Sequence, residues 1–586
     1  MRLTGPPLPA PRHPTLVHAL RSARGHRSGV TFVDLAERER RLPWGEVLAR
    51  AERVAGGLAG RGIVPGDRVA IVLRTGPEFL DAFFGAWLSG AVPVPLYPPV
   101  RLGRLDEYAR STARMIARSG ARLVVSTGTV RRVLGEAVVA AGPELGDADV
   151  ADLDGEPPAQ PEPAAGDLAL VQFSSGSTVD PKPVAIRHAA ITAQITALER
   201  EVDPDDRDVM VSWLPLYHDM GLVGALLGAV WWPGPLTLVA PEHFLARPAL
   251  WLRAISRHRG TLSPAPSFAY AYCAERVRDA DLAGCSLASW RFALDGAEPV
   301  SGGALRRFAA RFAPHGFDPA SLVPVYGLSE ATLAVTFSRR GAPLEGRLVD
   351  PVALARDARL APGGREIVPV GRPVAGVEVE VRDASGDLAG EGRLGRILVR
   401  GPSVMAGYLE DPEATGRAVV GGWLDTGDLG FVADGALHVH GRSKDLVIVR
   451  GANHAPDEFE DALAGLPGLR PGCAVALGVE SDGEGEGLVV LAERARDAAQ
   501  DDAILAAAAR EAVIERTGIA PREVRILAPG TLPRTSSGKL RRREALRRFE
   551  SGTLAPPARG GLLALALAAA RSELARLRAV RRKEGA

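Results

Sequence analysis

The chain reads as an α/β protein: a large body built on a mostly parallel sheet, a smaller β-rich lobe, and a compact C-terminal domain. Strand-like and helix-like patterns alternate from residue 45 to residue 326, which is the signature of βαβ units. After Gly371 the pattern changes to short alternating runs separated by Gly-rich turns. Beyond Gly441 about a hundred residues remain before the tail, the size of one ordinary domain.

Taken in order, residues 45–61 carry helical periodicity, 68–73 read as a strand, 77–88 as a helix and 91–96 as an apolar strand. Further strands are expected at 123–126, 168–173, 209–213, 236–240, 290–294 and 321–326. Residues 142–166 are acidic and rich in Pro and Ala, and read as a surface connection without function. In the lobe, 377–382 and 395–400 alternate as strands. No repeat occurs at solenoid periods.

With 586 residues and 46% hydrophobic content, several domains with large cores are expected. Basic and acidic residues nearly cancel, 71 against 70, so no global field favours nucleic acid or an anionic membrane as partner. Small-molecule chemistry fits that balance better. Cys273, Cys285 and Cys473 are far apart and lack metal-ligand spacing, so neither a disulfide framework nor a zinc site is indicated and a reducing cytoplasm is the expected location. The Pro-rich residues 1–14 lack a signal-peptide core, and no apolar run reaches the ~18–20 residues of a membrane span. Stable membrane insertion is therefore not expected. The tail, ending Arg581-Arg582-Lys583, reads as a packed or frayed helix ahead of a docking element.

Widely spaced polar clusters carry the chemistry. Ser174-Ser175-Gly176-Ser177-Thr178 follows the 168–173 strand, and Lys182 lies four residues beyond. Small side chains let backbone N–H groups approach anionic oxygens, and a lysine adds mobile charge, so the run can wrap phosphates; a plain Ser/Gly turn is the alternative. The Walker pattern is absent. In Trp213-Leu214-Pro215-Leu216-Tyr217-His218-Asp219-Met220-Gly221, His218 is open to two readings: lining an acyl channel near the carboxylate, or a core histidine satisfied by backbone. Gly296-Ala297-Glu298-Pro299 is a strand-end turn able to meet the edge of a base. In Tyr326-Gly327-Leu328-Ser329-Glu330 an aromatic ring can stack on adenine while the Glu330 carboxylate, a hard oxygen ligand, holds Mg²⁺. Asp428, in Trp423-Leu424-Asp425-Thr426-Gly427-Asp428, can accept both ribose hydroxyls, although the bare string reads as a hairpin turn. Arg442 has a planar fork for ribose or phosphate oxygens, or for an interdomain ion pair. Lys539, in Thr535-Ser536-Ser537-Gly538-Lys539, projects a point charge, beside Arg541, Arg542 and Arg543. His438 and His440 read as alternation on an exposed strand, not as metal ligands.

In this order and spacing the set resembles the adenylate-forming superfamily of acyl-CoA synthetases, luciferases and nonribosomal adenylation domains. Pro93-Val94-Pro95-Leu96-Tyr97-Pro98-Pro99, the 213–221 string, Phe244-Leu245-Ala246-Arg247-Pro248, Ala265-Pro266-Ser267-Phe268-Ala269-Tyr270 and Arg450-Gly451-Ala452-Asn453-His454 resemble its fatty acyl-AMP ligase branch. The resemblance implies an N-terminal AMP-binding domain, residues 1–443, of two α/β subdomains and a β-barrel-like lobe, with an inserted segment near 338–368 that disfavours free coenzyme A. It implies a mobile α+β C-terminal domain, 444–553, pivoting at Lys444, and a helical tail, 554–586. A fatty acid carboxylate would attack the α-phosphate of ATP, and the acyl-adenylate would pass to the phosphopantetheine thiol of an acyl carrier protein. Lys539, Glu330 and His218 would be the catalytic residues, with Mg²⁺ held by Glu330 and Thr178. Val179 and Pro183 stand where the superfamily loop usually carries glycines, and Ser329 where threonine or alanine is common. Each buried methylene contributes ~0.8 kcal/mol, so selection by tail burial is expected.

Overall fold

The computed structural model describes residues 1–99, 104–159, 162–174, 181–449, 452–481, 485–534, 539–556 and 562–584. Its largest sheet has nine strands, and the run from Leu322–Gly327 through Phe292–Asp295, Leu262–Ala265, Met210–Ser212 and Leu236–Val239 to Gly29–Val33 is parallel throughout. A second, four-stranded parallel sheet contains Val92–Leu96, Arg68–Val72, Leu123–Ser126 and Asp147–Asp149. The last of these lies in the stretch expected to be a bare connection. Three residues with one inward alanine are too short to leave a periodic signal.

The βαβ reading of the first subdomain holds. Trp44–Gly60 opens at a buried tryptophan whose Nε1 donates to the Gly234 carbonyl at 3.2 Å, and Pro77–Leu88 begins with proline at its first turn. Both helices contribute to one core with the strands they cover. The aromatic run Phe79, Phe83, Phe84 and Trp87 is buried, and Trp87 Nε1 donates to the Ala169 carbonyl at 2.6 Å, tying this subdomain to the strand Leu168–Phe173. That strand pairs antiparallel with Pro183–Arg187. Pro183 therefore has ordinary extended backbone; Val179 lies outside the described residues.

The lobe is an antiparallel six-stranded sheet that recruits Arg2–Thr4 from the far end of the chain. Residues 423–430 are not a free hairpin turn: they open an eleven-residue strand, Trp423–Ala433, whose left-handed Gly427 (φ 73) precedes a register shift. His438 and His440 lie on its partner, Ala436–Arg442, but both are buried at 2% and 1% exposure, correcting the exposed-strand expectation. His438 stacks on Phe431 at 4.7 Å, so the ring fills the core as an apolar plate. Within 338–368, the strands Arg347–Val349 and Arg365–Ile367 and the helix Pro351–Asp357 pack Val349, Leu354 and Ile367 on Phe431 and Ala433.

C-terminal to the lobe, Leu469–Ser481, Gly485–Arg494 and Glu523–Leu527 form a sheet with a separate core on each face, one beneath Asp502–Thr517 and one beneath Arg542–Glu550. The tail helix Leu562–Glu584 returns to the first subdomain. There Ala568 packs with Leu105 and Val133, Ser572 is buried and accepts the Glu136 N–H, and Arg576 pairs with Asp147 at 2.7 Å. Gly135 makes this approach possible, since a Cβ there would lie 3.0 Å from Ser572 atoms and from Arg576 Nε. Gly135→Leu is expected to displace the tail, giving earlier cleavage at the 554–562 connection in limited proteolysis and a loss of about 1–3 kcal/mol of stability.

Candidate active site

The carboxyl ends of the parallel strands share one edge of the large sheet, so the turns that leave them are neighbours whatever their separation in sequence. The strand Met210–Ser212 sits between Leu236–Val239 on one side and Leu262–Ala265 on the other. The chain reverses its direction of winding there, which opens a crevice at the strand ends. Into it run the loops carrying His218, Gly296 to Pro299, and Tyr326 to Glu330. A cavity of about 640 Å³ occupies the crevice. Its polar end is lined by Ser174, Lys182, His218, Asp219, Ala297, Tyr326, Gly327, Leu328, Ser329, Glu330, Arg442, Lys444 and Lys539. Expected residues from six separate regions thus meet in one place.

Local geometry follows from small residues. A Cβ on Gly327 would fall 1.7 Å from the Leu333 carbonyl oxygen, so only glycine lets the turn fold back there. Ala297 has φ 69 and Thr332 φ 71, both in the left-handed region that L residues avoid. Thr332 is β-branched and fully buried, and its hydroxyl bond to the Ser403 carbonyl at 2.6 Å holds this strained turn beside Glu330. Gly296, Glu298 and Pro299 do not line the cavity; Glu298 instead accepts the Phe268 N–H at 2.7 Å and steadies the turn behind Ala297.

The charged groups are held by one another. Asp428 accepts the Tyr326 hydroxyl at 2.6 Å and pairs with Arg442 at 2.8 Å. Burial pushes its carboxyl up, opposed by the Arg442 charge and the Tyr326 bond. Glu330 accepts the Tyr408 hydroxyl at 3.0 Å, and burial raises its carboxyl too. Lys182 rests its ammonium 4.3 Å from the Tyr408 ring centroid. Burial lowers Lys539, and the carboxylates of Asp219 and Glu298 oppose that shift. Acids raised and lysine lowered for the same cause describe a desolvated site, in which each remaining charge acts strongly. Among the described residues no group of three or more His, Cys, Asp or Glu is placed to share a metal ion. Ser175, Gly176, Ser177 and Thr178 lie outside the described residues.

Away from the polar end the cavity continues between Ile195, Leu198, Val202, Trp231, Leu294 and Phe337. This apolar branch had no sequence motif, because its walls come from separate helices and strands. Tyr408 was likewise missed, being on a two-residue strand with no local signal. Asp219 lies in the 213–221 string, where spacing gives it no role of its own. A second cavity, about 630 Å³, is lined by Tyr97, Tyr217 and Phe268 and by Arg104, Arg470, Arg534 and Arg541; Ser174 and His218 border both cavities.

The C-terminal domain meets the lobe through a buried cluster. Arg365 donates to Glu458 at 2.9 Å and to His440 Nδ1 at 3.1 Å, and His454 Nδ1 lies 2.9 Å from Glu458. Thus Arg365 of the 338–368 segment links His440 of the lobe to the Glu458 carboxylate of the C-terminal domain.

A family model described as AMP-binding enzyme matches residues 20–409, and the chain belongs to that family. Over 584 residues it is 34% identical to the long-chain-fatty-acid–AMP ligase FadD26 of Mycobacterium marinum, covering 92% of this chain and 97% of the relative. It is 31% identical over 579 residues to the medium-chain-fatty-acid–acyl-carrier-protein ligase JamA of Moorena producens, covering 93% and 96%. A solved structure from a study of fatty acyl-adenylate ligases of E. coli and L. pneumophila superposes with a TM-score of 0.87 at 34% identity, over 92% of this chain and 98% of that one. Within the family the chain falls in the fatty acyl-AMP ligase branch.

Burial and the neighbouring Arg365 hold His440 well below its ordinary range, so the folded state disfavours its protonation. A depressed histidine contributes stability that is present above the unfolded value of about 6.5 and is lost as pH falls through it. Stability measured by thermal unfolding is expected to drop below pH 6.5, and His440→Gln to flatten that part of the profile.

Proposed function

We propose that the protein activates a fatty acid with ATP to an acyl-adenylate, releasing pyrophosphate, and passes the acyl group to the phosphopantetheine thiol of an acyl carrier protein. The observation that carries this is one continuous cavity with a charged end at Tyr326, Glu330, Arg442 and Lys539 and an apolar branch able to bury a chain. The names of the fatty-acid–AMP and carrier-protein ligase relatives support the same reading.

In this reading Tyr326 flanks the adenine, while Asp428 and Arg442 orient the ribose. Ser174 and Lys182 gather phosphate oxygens together with Ser175, Gly176, Ser177 and Thr178. Glu330, a hard oxygen donor at the charged end, and Thr178 suit Mg²⁺, which when bound supplies charge neutralisation for the leaving pyrophosphate. Lys539 bridges carboxylate and α-phosphate oxygens, and the desolvated setting raises the value of its charge in the transition state. Catalysis is then positioning and electrostatics without a protein nucleophile. Lys444 is the hinge on which the C-terminal domain turns to release Lys539 for the second step. The second cavity, with its arginines, suits the phosphate of the incoming arm. Three free cysteines suit a reducing cytoplasm. Among the described residues no helix is long and apolar enough to cross a membrane.

The test is fatty-acid-dependent pyrophosphate release across chain lengths, with holo-carrier protein or coenzyme A as acceptor. Rapid acyl-CoA formation overturns the choice of acceptor, and no release with any fatty acid overturns the reading itself. Lys539→Ala is expected to reduce adenylate formation on the order of 10²–10³-fold while ATP still binds by calorimetry. Glu330→Gln is expected to move the magnesium titration to higher concentration.

A further inference from the structure

His218 and Asp219 form a buried dyad at the charged end of the cavity. His218 Nδ1 lies 2.7 Å from Asp219 Oδ1. The Met220 N–H is shared, 2.7 Å from the same oxygen and 3.4 Å from His218 Nδ1, and Oδ2 accepts the Ser329 hydroxyl at 2.5 Å. Burial pushes the Asp219 carboxyl up, yet the hydrogen bonds from His218 and Ser329 and the Lys539 charge together hold it well below the ordinary range. An ionised carboxylate only accepts, and at 2.7 Å it stands closer to Nδ1 than the Met220 nitrogen does at 3.4 Å, so the ring proton belongs on Nδ1 and a lone pair on Nε2. That Nε2 is buried and has no hydrogen-bond partner. A buried polar atom left in this state calls for an explanation. His218 also stands where the two cavities adjoin, between the charged end of the first and the arginine-lined second.

We propose that His218 is the general base of the transfer step, with Asp219 as its positioning residue. The inference rests on the thioester-forming reading given above. A pantetheine thiol, like that of cysteine, is mostly protonated at neutral pH, and the thiolate is the nucleophile. As sulfur attacks the acyl carbonyl carbon, its proton passes to Nε2 of His218. The new C–S bond forms, the C–O bond to AMP breaks, and that electron pair leaves on the phosphate oxygen. The proton then passes from the imidazolium to solvent. Acyl-adenylate and thiol become thioester, AMP and a proton, with no change of oxidation state. Ser329 gains a role as well: its hydroxyl fixes Asp219, which fixes the ring.

The test supplies chemically made dodecanoyl-adenylate to the full-length enzyme in single turnover, so that adenylation is bypassed. The nucleophile is pantetheine or a thiophenol, the latter largely ionised at neutral pH. His218→Asn is expected to slow the pantetheine reaction ~10²-fold or more and the thiophenol reaction far less, because a general base typically contributes 10²–10⁴-fold only where a proton must be removed. Asp219→Asn is expected to show the same dependence on thiol acidity. An amide N–H facing Nδ1 moves the ring proton to Nε2 and abolishes the acceptor while keeping the imidazole in place. Calorimetric binding of an acyl-sulfamoyl adenosine verifies that each variant retains its site. Equal losses with both thiols, or none with either, overturn the base. Absence of thioester from the wild type with both pantetheine and holo-carrier protein overturns the functional reading instead.

Discussion

Everything at this site depends on the parallel register of four strands, Met210–Ser212, Leu262–Ala265, Phe292–Asp295 and Leu322–Gly327. Parallel pairing points every carboxyl end the same way, so loops more than a hundred residues apart emerge side by side. The sheet is buried on both faces and therefore rigid. A rigid edge is what lets strained turns such as those at Ala297 and Thr332 persist, since their cost is met by the surrounding packing.

On that edge, desolvation sets the chemistry. Burial raises Glu330 and Asp428 and lowers Lys539, and each is restrained by a named partner: Tyr408, Tyr326 with Arg442, and Asp219. Charges arranged in advance and shielded from water stabilise a developing charge without reorganising when it appears. The same dryness makes the apolar branch of the cavity a favourable place for an acyl chain.

Contacts of different character fasten the C-terminal domain. Arg548 pairs with Glu107 of the first subdomain at 2.8 Å, Arg365 reaches Glu458 from the 338–368 segment, and the tail helix beyond the domain lies on the first subdomain. The second contact is a buried ion pair whose partners are 11% and 1% exposed, so separating them leaves charges uncompensated. The pairs at Glu107 and in the tail are more exposed and yield more readily.

The sequence by itself determined the order of elements and the residue types of the site. Apolar runs with periods of 2 and 3.6 located the strand Leu168–Phe173 and the helix Pro77–Leu88 at their actual bounds, and polar clusters named Tyr326, Glu330, Asp428, Arg442 and Lys539. Those signals are local, which is why one chain was enough to read them. Burial was not local: His438 and His440 read as exposed because alternation gives a face but not what covers it. Tertiary structure alone decided that Tyr408 meets Glu330, that Asp219 holds His218, that an apolar branch opens off the charged end, and that the tail returns to Gly135. Each joins groups carried on separate elements or depends on side-chain geometry after packing, and neither composition nor spacing records such pairings.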